Sequence, residues 1–502
     1  MTICRSLGVV ILLAWSACAR AQSLDWSGDV TLFGTTDNEH DPVLTIMPAS
    51  GMTRAFCIAR YDSVCMKVST DNGASWSSCA TLPTFAQLTR VNAAADGQFE
   101  YALVTANTSS AKTLYRFGPR ENDWRAAMHC AVAPNCTGNV IASALVNDAA
   151  AGLGDPTVNA CWIERAPATN HYSAWHSQSR DRGVSFQAAN ELFSFENPDA
   201  MAAGMDMAAS WTESSERLIV AATVDRPGSI PEQIRVFTSE DQGLTWGDST
   251  AIDDAAFAQC EPSLAAYQNT VLLVYARRIN ASSERDIFLS YSPDGGLSFS
   301  PPLAITDSLA DEHAPNIRIS SSGESFTIFY LADNGVDEPS TVLVREGMVA
   351  TPWQVGSAMP ISEIGGAVRD GGLCGAAGPL GMAVAWTSRF PLGDTDVKFD
   401  ASWRGVRVSD QLPNLPVRIA LGQNFPNPFN ASTVLPLSLN RAMNARVIVI
   451  DIMGRRAMEV DAGFMGAGRH EIVLDLSNLP SGVYWSRIYG AQIQPVRMVL
   501  VK

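Results

Sequence analysis

Four segments of this chain repeat one eight-residue pattern, S-x-D-x-G-x-[ST]-[WF]. They are Ser69–Trp76, Ser179–Phe186, Ser239–Trp246 and Ser292–Phe299. Each follows a run that reads as a strand, such as Ile234–Thr238 or Asp286–Tyr291. The chemistry is that of a tied hairpin. The carboxylates of Asp71, Asp181, Asp241 and Asp294 can accept bonds from backbone N–H groups of their own turns. Gly73, Gly183, Gly243 and Gly296, two positions on, can take a positive φ. Trp76, Phe186, Trp246 and Phe299 are expected to fold back and pack where the next strand begins.

Spacing counts the units. The box aspartates are separated by 110, 60 and 53 residues, from positions 71, 181, 241 and 294. The first interval therefore hides a unit whose turn has decayed, placed at Asn122-Asp123-Trp124 after Thr113–Phe117. Beyond Asp294 two more units fit, with third strands near Thr341–Arg345 and Asp396–Asp400. Units of this period with four short strands each predict an all-β protein built as a β-propeller, with seven blades and six as the alternative.

The four segments resemble the Asp-box (BNR) repeats of sialidase-like propellers. The resemblance runs from about Asp29 to Val408. It implies that the boxes lie on the face away from the ligand site. Active sialidases of that family carry an F/Y-R-I-P segment, whose Arg binds the sialate carboxylate, and a Tyr/Glu pair. The corresponding region here reads Asp41-Pro-Val-Leu-Thr-Ile-Met-Pro48, with no Arg. Neither Tyr275 nor Tyr330 is assigned the nucleophile's role, and no sialidase catalytic residue is carried over.

The propeller rule that first-strand starts and second-strand ends share the ligand face nominates ten residues. From strand starts come Asp41, Asp199, Glu261, His313 and Asp370; from strand ends come Arg60, Arg165, Arg226, Arg278 and Arg389. Carboxylates and guanidiniums around one mouth suit polar sugars or a sugar acid, since an Arg fork pairs with carboxylate in a bidentate way. Two carboxylates can also serve as acid and base on a glycoside. The ordinary alternative is that Asp and Pro are turn residues and rim arginines pair with neighbouring acids.

A second domain follows Pro413-Asn-Leu-Pro416. Leu421–Asn430 (LGQNFPNPFN), Ile450–Arg455 (IDIMGR), Leu479–Trp485 (LPSGVYW) and the closing Met498–Lys502 (MVLVK) sit among short strands that predict a small Ig-like β-sandwich. These motifs resemble the C-terminal sorting domain of type IX secretion cargo, which implies passage through the outer membrane by that machinery. The expected division is a signal peptide over 1–21, a propeller over 24–410, a linker over 411–416 and a sorting domain over 417–502.

Arg5, the apolar run Leu7–Trp15 and the Ala19-Arg20-Ala21 site make Met1–Ala21 a secretory signal too short to span a bilayer. No later stretch reads as transmembrane. The expected location is therefore outside the cell or on its outer surface, reached through the periplasm.

Charge supports the division. The chain carries −16 overall; the tail from residue 413 has nine basic and five acidic side chains, net +4, and the signal adds +2, leaving −22 on the propeller. So acidic a body excludes a nucleic-acid-coating role. Beyond Cys4 and Cys18 in the signal, eight cysteines remain, an even set that permits disulfides, with Cys130/Cys136 and a pair within Cys57/Cys65/Cys79 as local candidates. The six histidines show no metal-ligand spacing, and no metal or other cofactor is expected. The acidic stretch Asp333–Glu338 reads as a plain loop, with Ca²⁺ as the alternative.

The function expected on these grounds is recognition of glycans or glycoproteins by an exported propeller. A sialidase-type glycoside hydrolase and an adhesive scaffold with a protein partner are the alternatives.

Overall fold

In a computed structural model of the chain, residues 26–403 and 420–502 are described apart from short loop stretches, among them 118–123, 131–138, 149–156, 197–203, 334–339 and 363–371. The signal segment Met1–Ala21, the linker 411–416 and the candidates Asp199 and Asp370 lie outside the described residues. All regular structure among those residues is β.

Up to Trp403 they form seven antiparallel sheets in chain order. The first strands of these sheets are Glu39–Ile46, Leu88–Ala95, Asn139–Asp148, Met205–Trp211, Gln259–Tyr267, Asp311–Ile319 and Leu373–Ala377. Each of these strands touches the next, and the last touches the first, so the sheets close a ring: a β-propeller. In six sheets the outermost strands follow in sequence; in the seventh the edge is Val30–Phe33, which pairs antiparallel with Thr395–Trp403. The ring is thus closed by the two ends of the propeller segment. The spacing of the boxes carries no trace of that pairing.

Burial explains the strand sequences. A second strand lies between two neighbouring sheets, and Thr53–Ala59 (TRAFCIA) is buried at every position. Third strands alternate, as in Ser63–Ser69, where every second residue is buried. Phe56 packs against Phe117 across the first and second sheets, with ring centroids 5.5 Å apart. An Arg54–Glu100 ion pair, wholly buried, crosses the same seam, and Thr45 Oγ1 donates to Glu100 Oε1 at 2.7 Å.

Residues 420–502 form two further sheets, one of three strands and one of four. Their shared core includes Leu435, Leu437, Val447, Val449, Leu474 and Met498. The polar residues of the tail motifs have local duties. Asn424 Nδ2 donates to Pro426 O and Thr433 Oγ1 at 3.1 and 2.9 Å, and Val499 N–H donates to Asn427 Oδ1 at 2.9 Å. Arg455 closes the IDIMGR turn on Asp451 at 2.9 Å, and Tyr484 Oη donates to Pro480 O at 2.8 Å.

Candidate functional site

Each Asp-box joins the third strand of its sheet to the fourth. All four are bonded alike. The box serine Oγ (Ser69, Ser179, Ser239, Ser292) donates to the Asp Oδ1 at 2.7–2.8 Å and accepts the Gly N–H at 2.7–2.8 Å. The residue four after the aspartate has its position taken by Ser75, Ser185, Thr245 and Ser298, which donate backbone N–H to Oδ1 and hydroxyl to Oδ2, the latter at 2.5 Å. Burial acts to raise these carboxyls, but the hydroxyl and N–H donors outweigh it and hold all four below the usual carboxylate range.

Two consecutive residues per box, not the glycine alone, are left-handed: Asn72/Gly73, Arg182/Gly183, Gln242/Gly243 and Gly295/Gly296. The box aromatics also pack differently from the sequence expectation. Trp76 meets Phe399 of the seventh sheet edge-on at 5.1 Å, and Trp246 meets His176 of the third at 5.3 Å. The partner is the preceding sheet in the ring rather than the strand that follows the box. A Cβ on Gly243 would stand 2.0 Å from the His176 ring, so the box glycines also admit that neighbour.

First and third strands run the same way within an antiparallel sheet. The boxes, at third-strand ends, therefore lie at the opposite end of each sheet from the first-strand starts. The first strands surround a cavity of about 720 Å³. Asp41, Glu261 and His313 line it. Of the sequence-nominated arginines, Arg60, Arg165 and Arg278 are exposed and stand outside its lining; the side chains of Arg226 and Arg389 lie outside the described residues.

Three of the strand starts share a device. Asp41-Pro42, Glu261-Pro262 and Ala314-Pro315 each begin with a left-handed residue, at φ 49°, 56° and 49°, and each coincides with a break in pairing register. The carboxylates so placed reach the next sheet. Arg90 Nη1, on the second sheet, donates to Asp41 Oδ1 at 3.0 Å, while His40 Nδ1 lies 2.9 Å from Oδ2. Glu261 Oε1 accepts from Arg285 at 3.0 Å and Oε2 accepts the Ala314 N–H of the sixth sheet at 2.7 Å. Arg285 also grips Asp311 through both oxygens, at 2.9 and 2.8 Å. Against the burial that would raise it, this guanidinium holds the Asp311 carboxyl far below the usual range.

His313 Nε2 lies 3.1 Å from Asp333 Oδ1, which also accepts from Ser340 Oγ. That engages the one described residue of Asp333–Glu338; the remainder lies outside the described residues. Among the described residues no cluster of three His, Cys, Asp or Glu side chains is arranged to hold a metal. Beside His313, Asp286 and Glu312 share a buried pocket. Burial first and the Glu312 charge second push the Asp286 carboxyl up to about 6.

Several lining residues were missed by the sequence reading: Arg90, Asn92, Asp206, Asn316 and Arg318. Short polar groups here join successive inner strands. Asn92 Nδ2 donates to Ser143 Oγ at 2.6 Å; the Leu264 N–H donates to Asp206 Oδ2 at 2.8 Å; the Gly375 N–H donates to Asn316 Oδ1 at 2.9 Å. Burial pushes the Asp206 carboxyl up despite nearby Arg318 and three donors. The available signal was a short polar residue within each of five first strands: Asn92, Ser143, Asp206, Ser263 and Asn316.

Residues 157–327 match the model of the BNR repeat-like domain, and residues 423–502 match that of the secretion system C-terminal sorting domain. No curated protein matches the sequence. Among solved structures, a Dyadobacter fermentans protein of unknown function aligns at 15% identity and TM-score 0.46, over 76% of this chain and 99% of its own. A Penicillium chrysogenum α-L-arabinanase aligns at 11% and 0.41, over 75% and 98%. The NanB sialidase of Streptococcus pneumoniae aligns at 14% and 0.40, over 76% and 70%. The ring of sheets therefore contains a BNR repeat-like domain. This particular chain is one that carries a type IX sorting domain behind it, and so is exported to the cell surface or beyond. No helix among the described residues is long and apolar enough to cross a membrane.

Proposed function

We propose that the chain is a seven-bladed propeller over 24–410, joined by the linker 411–416 to an Ig-like sorting sandwich over 417–502, and that it recognises a glycan at the central cavity. The observation that carries this reading is the cavity itself, about 720 Å³ and lined by Asp41, Arg90, Asn92, Glu261, His313 and Arg318. Its size falls within the range of ordinary small-ligand sites. Its mixed donors and acceptors match the hydroxyls of a sugar, and the half-exposed Arg90 guanidinium offers donors to a ligand carboxylate or hydroxyl.

Binding rather than hydrolysis is favoured by the state of the carboxylates. Hydrolysis needs an acid and a base that face the scissile bond. Both oxygens of Asp41 and of Glu261 are engaged by protein groups, and Asp206 is tied to Met207, Ser263 and Leu264. The test is a glycan array probed with the mature chain and with R90A, each hit then incubated to look for released sugar. Binding that R90A weakens at least tenfold, without turnover, supports the reading. Turnover of a hit transfers it to glycoside hydrolysis, and no hit transfers it to a protein partner.

A further inference from the structure

The first sheet holds three thiols side by side. Cys57 on the second strand pairs in register with Cys65 on the third, and Cys79 lies one residue before Ala80, which pairs with Met66. The Cys65 thiol is in hydrogen-bonding contact with both Cys57 and Cys79. The set runs from core to surface: Cys57 is buried, Cys65 half-buried and Cys79 exposed. All three stand as thiols here. The sorting domain, however, sends this chain out of the reducing cytosol. The cluster also faces the seam where Val30–Phe33 closes the ring, with Leu32, Phe33, Cys57 and Phe399 in one core and Cys65 packed against it.

We propose that the exported chain carries one disulfide within this trio, that Cys65 is always one of its two sulfurs, and that the bond can pass between Cys79 and Cys57. Cys79 is the point of entry because the oxidant, a protein or glutathione disulfide, reaches it from solvent. The Cys79 thiolate attacks that disulfide, forming a mixed disulfide and releasing one thiol. Cys65 gives its proton to water and attacks the Cys79 sulfur, releasing the oxidant's second thiol. Two protein thiols and one external disulfide thus become one protein disulfide and two external thiols. Attack by Cys57 on Cys65 then moves the bond inward and returns Cys79 as a thiol, with no change in electron count. Burial raises the Cys79 thiol to about 12 and the Cys57 thiol well above its ordinary value, so thiolate is scarce at both and each of their attacks is slow. A bond at either position ties the third strand to its neighbour beside the closure seam.

The sequence makes the test direct. Cleavage after Arg54, Arg60, Lys67 and Arg90 puts Cys57, Cys65 and Cys79 in three separate tryptic peptides. The mature full chain is incubated with oxidised glutathione, alkylated, digested without reduction and mapped by mass. The expected product joins peptide 61–67 to 55–60 or to 68–90. C57S and C79S each retain a cross-link and C65S has none. A direct 55–60 to 68–90 link, a link from the trio to any other cysteine, or three alkylated thiols overturns the proposal. Should C65S fail to fold, the wild-type map with C57S and C79S decides alone.

Discussion

The two ends of the propeller use the same side chain in opposite ways. At the box end, four aspartates bind their own turns, and every partner lies within four residues. At the cavity end, carboxylates bind across sheets: Asp41 to Arg90, Asp206 to Leu264, Glu261 to Ala314. The partners there vary: Asp41 takes an arginine side chain, whereas Asp206 and Glu261 each take a backbone N–H of the next sheet. A local tie repeats because the geometry of a hairpin is the same in every sheet. A tie between sheets must suit whatever the neighbour offers, so it diverges. The box end is a set of equivalent hairpins, and the cavity end is where this chain differs from sheet to sheet.

The largest effect should come from removing a shared inter-sheet cation. In R285M, Asp311 is left charged with 7% side-chain exposure and Glu261 loses one of its two anchors. Loss of one partner of a buried pair costs about 4 kcal/mol. Urea unfolding of the propeller should show that drop. A loss under about 1 kcal/mol would mean that the Arg285 pairs add little to the packing and the remaining hydrogen bonds between the fifth and sixth sheets.

Next comes G243A. The position needs φ +85°, and a Cβ there meets the buried His176 ring at 2.0 Å. Left-handed strain and the displaced ring together should cost about 3 kcal/mol. G183A, whose Cβ would meet the side-chain tip of Leu114 at 2.8 Å, should cost less. Equal losses would show that backbone strain, not the approach to the preceding sheet, sets the requirement for glycine.

Acid then separates the two ends by sign. The box carboxyls are held low in the fold, so their contribution is complete above the ordinary carboxylate range and is lost as pH falls through their lowered values. Asp286 is raised to about 6, so the fold binds the extra proton and loses stability as pH climbs from about 4 through 6. D286N should therefore gain about 1 kcal/mol on wild type at pH 7 and nothing at pH 4, read from denaturation midpoints. An unchanged difference across that range would remove the Asp286–Glu312 pair as its cause.

Legibility in the sequence follows the same division. Ser179, Asp181, Gly183 and Ser185 announce their hairpin because their bonds close within the segment. Third strands expected at Thr113–Phe117 and Thr341–Arg345 are found at Lys112–Phe117 and Thr341–Met348. The pairing of Val30 with Phe399 spans most of the chain and leaves no local mark. Arg90 and Asp206 were invisible for a related reason: their partners are 49 and 58 residues away and set by ring closure. Trp76 and Trp246 were legible as aromatic plugs, but the sheet they plug depends on which blade lies alongside.

The smallest stability effect tests the functional side of the comparison. Arg60, Arg165 and Arg278 are exposed at the ends of second strands, outside the cavity lining. Their replacement by alanine should change folding stability by less than about 0.5 kcal/mol each, as for most surface sites. R90A at the cavity also costs little, because its guanidinium is 49% exposed and its pair with Asp41 is screened. The two sets then diverge only in ligand binding. If a glycan sits in the cavity, R90A weakens it and the three rim variants leave it unchanged. If the rim variants weaken binding as much as R90A, the ligand spreads over the strand-end loops, and the cavity is only the centre of a wider surface.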